Sequence, residues 1–264
     1  MLIDRRDFLT LLSSHIAIAG ACCSSVAARG VASSACMVSE VKFQRVAFLR
    51  ASIPNTLQVV RSFQGEILSG SGNTTFDVAL GSQVLVPLAR EFGVNPGFGY
   101  YEEAHHLEYG DENALASTLT RVADTRGTIV LGLNLLNKFL AIPGGDFAVM
   151  AICAHEFAHI KQYGLDVKHA IENGLPPYCI ELHADFLAGY FVRIFSERVP
   201  QTRLQVIGEQ WSKLGHPTKT GSHGTSAQRV KAIEAGFEFA KRASSRNVDA
   251  ASSAGYQHVS QYRV

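Results

Sequence analysis

The chain has 264 residues, 47% of them hydrophobic, and 24 Lys+Arg stand against 23 Asp+Glu for a formal net charge of +1. That length suits one medium domain or two small ones with a sizeable core. Balanced charge excludes the cationic excess of a broad nucleic-acid footprint, and the 8 Pro and 23 Gly, spread along the chain, argue against a fibrous or disordered class.

The first 35 residues read as an export signal. Arg5-Arg6 is followed by Asp7, Phe8 and Leu9, then by the moderately apolar run Leu11 to Ala28. This resembles a twin-arginine signal, whose passenger crosses the membrane already folded. Cleavage would follow Ala27 or Ala35, and the expected location is the periplasm or cell envelope, reached through the twin-arginine machinery. Retention of the signal would make it a membrane anchor. Elsewhere the longest apolar stretches, such as Phe147 to Ala154, fall far short of the roughly 20 residues of a span.

Residues 36–75 alternate weakly and end in the turn-rich Gly70-Ser-Gly-Asn-Thr-Thr, with no specific role to assign; a propeptide is one option. From Phe76 to Phe92 the residues Val78, Leu80, Val84, Leu85, Leu88 and Phe92 recur at helical spacing, and Gly93 stops the helix. Phe98 to Tyr101 suits a short strand, residues 102–113 an acidic surface loop with His105-His106 in water, and Gly127-Thr-Ile-Val-Leu-Gly a second strand. Asp146 can cap a helix running to about Tyr163. Its first turns, Phe147 to Ala154, are apolar all round, so it should be buried. Pro176-Pro177 opens the next helix, to about Arg198, with Phe186, Leu187, Tyr190, Phe191, Ile194 and Phe195 as a core stripe. His216-Pro217 reads as a turn. A last helix covers about Ser226 to Arg242, and the Ser/Ala-rich tail, residues 246–264, is expected to be mobile. Residues 76–245 thus form one mainly helical α+β domain with a small β-sheet.

The buried helix carries His155-Glu156-Phe157-Ala158-His159. Two His at i and i+4 lie about 40° apart around a helix, so both imidazoles reach one point. That suits a tetrahedral zinc, with Glu156 close enough to act on a zinc-bound water. A metzincin would need Gly and His where this chain has Gln162 and Leu165. The third ligand is sought on the next helix, in Glu181-Leu-His-Ala-Asp185, which begins 22 residues after His159. Glu181 and Asp185 share a face, so one can bind zinc while the other accepts the outer N–H of a ligand His. His183 points about 200° away from Glu181 and is expected to face elsewhere. Cys153 and Cys179 lie opposite His155 and Glu181 by the same rotation, which disfavours a disulfide between them.

These two helices resemble those of the gluzincin metallopeptidases. The closer similarity is to the family of HtpX and the CAAX prenyl proteases, whose second helix commonly reads Glu-x-x-Ala-Asp. Asn113-Ala-Leu-Ala looks like that family's Asn-Ala strand, and Gly127 to Leu133 its edge strand. Ser222-His223-Gly224 to Gln228-Arg229-Val230 looks like its later His turn and Gln/Glu-Arg pair. The neutral zinc metallopeptidases share a similar Glu-Leu-x-Ala-Asp and Gln-Arg-Val. The resemblance covers residues 78–237 and lacks the multi-spanning helices of HtpX-type enzymes, so it implies a soluble, exported relative. An aminopeptidase Gly-x-Met-Glu-Asn signature is also missing, which favours an endopeptidase.

The resemblance implies a zincin-like fold with an HExxH active-site helix and one zinc ion per chain, held by His155, His159 and Glu181. Glu156 would be the proton carrier, and Asp185 would orient His155. His223, then Arg229, are candidates to stabilise the oxyanion, and the Gly127–Leu131 strand is a candidate to pair with an extended polypeptide at a sheet edge. The expected partner is an unfolded or envelope polypeptide. The rival is a zinc-stabilised, catalytically weak binding or chaperone-like protein on the same fold.

Overall fold

The computed structural model describes residues 58–59, 62–63, 66–67, 80–101, 113–120, 125–164, 166–195, 207–212, 223–243 and 246–263. The expected signal, the Gly70 connector, His105-His106, His216-Pro217 and Ser222 lie outside the described residues. What is described is mostly helical with a small mixed sheet, an α+β arrangement. Contacts divide the chain into two compact units.

The first unit takes in the described residues up to Val86, together with 95–115 and 119–146. Its strands are β1 (Gln58–Val59), β2 (Ser62–Phe63), β3 (Glu66–Ile67), β4 (Gly97–Tyr101), β5 (Ala114–Ser117) and β6 (Thr128–Gly132). β2 and β3 form an antiparallel pair, and the main sheet runs in the order β1-β4-β6-β5. β4 and β6 pair in parallel, Gly97 opposite Thr128 through Tyr101 opposite Gly132. Both are buried along their whole length, as parallel strands covered on both faces should be. β6 is therefore an interior strand. Its bonding groups meet β4 on one side and β5 on the other, so Gly127–Leu131 is not the free edge anticipated for substrate pairing. Helix α2 (Leu133–Leu140) follows β6 directly and buries Leu135, Leu136 and Phe139.

The second unit takes in 87–94, 116–118 and the described residues from Phe147. A π-helical turn (Gly81–Leu85), which belongs to the first unit, runs into α1 (Val86–Phe92), and the expected motif helix is α3 (Gly145–Gln162), of which all but the first two residues fall in the second unit. There follow α4 (Asp166–Glu172), α5 (Cys179–Phe195), a short helical stretch at 207–212, α6 (Ser226–Arg242) and α7 (Val248–Ser260). α5 is the hub. It crosses α6 at a pair of glycines: a Cβ on Gly189 would sit 1.9 Å from the Ile233 carbonyl oxygen, and one on Gly236 1.8 Å from that of Phe186. Only hydrogen fits at either place. Phe92 of α1 meets Phe191 at 6.1 Å between ring centres, and Tyr190 donates to Glu91 at 2.6 Å. Ile171, Leu175, Cys179, Leu182, Ala232 and Val259 form one buried cluster from α4 to α7.

Residues 246–264, expected to be mobile, instead supply an ordered helix. Asn247 caps α7 by accepting from the N–H groups of Asp249 and Ala250. Ala251, Ser252, Gly255 and Val259 are buried. The small residues that suggested mobility let the helix sit close against its neighbours: a Cβ on Gly255 would come within 3.0 Å of the His183 ring. Cys153 and Cys179 are buried and unbridged, as their helix phase predicted. Burial pushes both thiols up, Cys179 to about 11. Among the described residues no helix is long and apolar enough to cross a membrane.

Candidate metal centre

α3 is buried nearly throughout, and three of its polar side chains, His155, Glu156 and His159, are 6%, 6% and 8% exposed. Such groups need partners to offset their lost hydration. The i, i+4 spacing brings His155 Nε2 and His159 Nε2 to 3.0 Å of each other. Glu181, in the first turn of α5, faces them. Its Oε2 lies 3.4 Å from His155 Nε2 and its Oε1 3.5 Å from His159 Nε2. One donor atom from each of the three falls within 4.8 Å of the others, a group that can hold a metal ion.

Behind His155 stands Asp185, one turn after Glu181 and fully buried. His155 Nδ1 lies 2.8 Å from Asp185 Oδ1. The contact is an ion pair out of hydrogen-bond alignment, and it leaves Nδ1 without an aligned acceptor. Asp185 is itself held tightly. Trp211 Nε1 donates to Oδ1 at 2.6 Å, while Arg229 Nε donates to Oδ2 and Nη2 to Oδ1, both at 2.8 Å. Burial pushes the Asp185 carboxyl up, but Arg229 first and His155 second outweigh it and hold it at about 2. Burial likewise opposes charge on His155, yet Asp185 and Glu181 carry that imidazole up to about 10. The site attracts positive charge.

Behind His159 stands a second chain of partners that the sequence did not reveal. Gln162 is fully buried, and its amide lies 2.9 Å from the Ile180 carbonyl oxygen, 2.9 Å from His183 Nδ1 and 2.8 Å from His159 Nδ1. A carbonyl only accepts, so the atom facing Ile180 is the amide nitrogen. Gln162 Oε1 must then accept from His159 Nδ1–H, and Gln162 Nε2 must donate to His183 Nδ1. His183 Nε2 keeps its hydrogen and donates to the Ser252 carbonyl oxygen at 3.0 Å. Every proton in this chain has one direction. It leaves His159 Nε2 with a lone pair aimed at His155 and Glu181. His183, expected to face away from the ligands, does so, and burial pushes its imidazole down to about 4, in keeping with a neutral ring.

The remaining candidates lie on α6 and the turn before it. Gly224 takes a left-handed φ of 77°, which favours glycine. That turn sets His223 just ahead of Thr225, where a capping box joins Thr225 and Gln228 at the start of α6. His223 Nδ1 reaches Glu181 Oε2 at 3.0 Å with half its side chain exposed. Arg229, read from the sequence as a possible oxyanion donor, points its Nε and Nη2 at Asp185, with its guanidinium 5.9 Å over the Trp211 ring. Its place is behind His155, supporting Asp185. Glu156 is buried, and burial raises its carboxyl above the usual range against the pull of His155 and His159. Trp211 had no signal in the sequence beyond being the only tryptophan. No protein-family model matches the chain, and searches of curated proteins and of solved structures find no match either.

Proposed function

We propose that the chain is a zinc-dependent endopeptidase of gluzincin type, exported to the cell envelope and acting on polypeptides. The observation that carries this reading is the triangle of His155, His159 and Glu181: the two Nε2 atoms lie 3.0 Å apart, Glu181 turns Oε2 to His155 at 3.4 Å and Oε1 to His159 at 3.5 Å, and one donor atom from each residue lies within 4.8 Å of the others. Ligands bound to zinc at about 2.0–2.1 Å in a tetrahedron stand roughly 3.3 Å apart, a spacing that these three side chains can reach with small side-chain adjustments. Two imidazoles and one carboxylate, with a fourth position left open, are a catalytic rather than a structural donor set. Charge supports the same reading. The Glu181 and Asp185 carboxylates against the one Arg229 guanidinium leave net negative charge facing the two imidazoles, which a bound cation offsets.

Zinc bound there supplies a Lewis acid and a water acidified toward neutrality. The chain's own residues do the rest. Glu156 takes a proton on its carboxylate as water adds to the scissile carbonyl, then returns it to the leaving nitrogen. Its raised carboxyl suits both directions of transfer. His223, half-exposed and 3.0 Å from Glu181, is the candidate to donate to the carbonyl oxygen. Gln162 holds the His159 imidazole in the tautomer that leaves its Nε2 free to bind, and the Asp185 charge 2.8 Å from His155 Nδ1 favours the hydrogen on that nitrogen.

The test is cleavage of casein by the full chain and by Glu156→Gln, with zinc content measured in both. The expected result is about one zinc per chain in each and a cleavage rate at least about 100-fold lower in the variant. If both hold zinc and neither cleaves, the binding-protein alternative replaces the peptidase.

A further inference from the structure

We propose that the C-terminal helix α7 is part of the metal centre, with Gln162 and His183 as positioning residues that set the metal affinity of His159 through the Ser252 carbonyl. The inference rests on the metal-centre reading above and extends it to residues outside the motif. His159 Nδ1–H donates to Gln162, Gln162 donates to His183, and His183 donates to Ser252. Three contacts hold the chain in place. Gln162 Nε2 also donates to the Ile180 carbonyl, which prevents the amide from flipping. Gly255 leaves no room beside the His183 ring, since a Cβ there would lie 3.0 Å from it. Lys161 of α3 pairs with Asp249 of α7 at 2.9 Å, a second tie between the two helices.

The physical consequence concerns the tautomer. With Gln162 Oε1 as acceptor, the His159 hydrogen stays on Nδ1 and the Nε2 lone pair faces Glu181 and His155. Without that acceptor, the neutral ring can move its hydrogen to Nε2 or rotate, and each such state must be reversed before a metal binds. Partners of this kind, which accept the outer N–H of a ligand imidazole, typically contribute 10- to 100-fold in metal affinity. The anchor lies 69 residues beyond His183, on a helix with no residue in the ligand triangle.

The experiment measures the zinc dissociation constant of the full chain by competition with a chromophoric chelator, with circular dichroism of each metal-free variant as a check on folding. Gln162→Met, similar in size but without an acceptor, is expected to bind zinc about 10- to 100-fold more weakly. His183→Leu, which leaves one of the two Gln162 amide N–H groups without its acceptor, is expected to weaken binding by about ten-fold. His183→Asn restores an acceptor near the Nδ1 position and should stay within about three-fold of wild type. Wild-type affinity in Gln162→Met overturns the proposal, and so does equal weakening by Leu and Asn at position 183, which would mean packing alone. If His183→Leu does not fold, Gln162→Met and His183→Asn decide it: weakened in the first and kept in the second supports the proposal, and any other pattern overturns it. A wild-type chain that takes up no zinc sinks the metal centre and this inference together, whereas a wild type that binds zinc while Gln162→Met binds it equally sinks the inference alone.

Discussion

Asp185 shows how much one buried side chain is asked to do. Its two oxygens receive Trp211 and both donors of Arg229, while His155 stands 2.8 Å away. An ion pair removed this far from water contributes little net stability when intact, but breaking it strands a buried charge. Asp185→Asn should therefore destabilise the metal-free chain by about 3–5 kcal/mol at pH 7, read from urea unfolding. The pH dependence has a definite sign. The folded carboxyl lies at about 2, below its ordinary 3.8, so its contribution is complete above that ordinary value and is lost as pH falls toward 2. Wild type should lose stability across that window more steeply than Asp185→Asn, and parallel slopes would show that Asp185 is not a source of the acid sensitivity. The shared face of Glu181 and Asp185 was legible in their i, i+4 spacing. Trp211 and Arg229 were not, because they arrive 26 and 44 residues later with no periodicity linking them to Asp185.

Among the elements, the crossing of α5 and α6 sets the height of the whole site. Gly189 and Gly236 place each helix against a carbonyl of the other, and α6 carries Arg229 on the turn that meets Asp185. In an exposed helix Gly→Ala is stabilising by about 1 kcal/mol. Here the added methyl would lie under 2 Å from backbone oxygen, and neither helix can yield as a flexible side chain would. Gly189→Ala and Gly236→Ala should each destabilise the chain by at least about 1–3 kcal/mol, measured as a fall in thermal or urea midpoint. A raised midpoint in either would refute the close crossing. The extent of α6, Ser226 to Arg242, matches its expectation from sequence, since Thr225 and Gln228 announce the start chemically. α7 was misread because Ser and Ala content is common to mobile tails and to helices that pack closely. Which of the two results depends on what lies opposite.

For the whole molecule, a metal held at the candidate site would be linked to folding. His155, His159, Glu181, Asp185, Arg229 and Ser252 all belong to the second unit, so an ion held by the triangle stabilises that unit directly. At free zinc about 1,000 times the dissociation constant, folding should gain about 4 kcal/mol. Thermal unfolding with and without a strong chelator measures it, and coincident curves would mean that the triangle holds no ion. The sequence by itself determined the positions of the His155–His159 pair and the paired carboxylates, because helical phase places residues four apart on one face whatever the rest of the chain does. It determined the burial of α3 for a similar reason, since a segment apolar on every side has nowhere else to go. Only the tertiary structure decided that β6 is interior, that Arg229 supports Asp185, and that Gln162, His183 and Ser252 form one directed chain behind His159. Those relations join residues that no local pattern connects, and they exist only where helices distant in sequence pack closely enough to exchange hydrogen bonds.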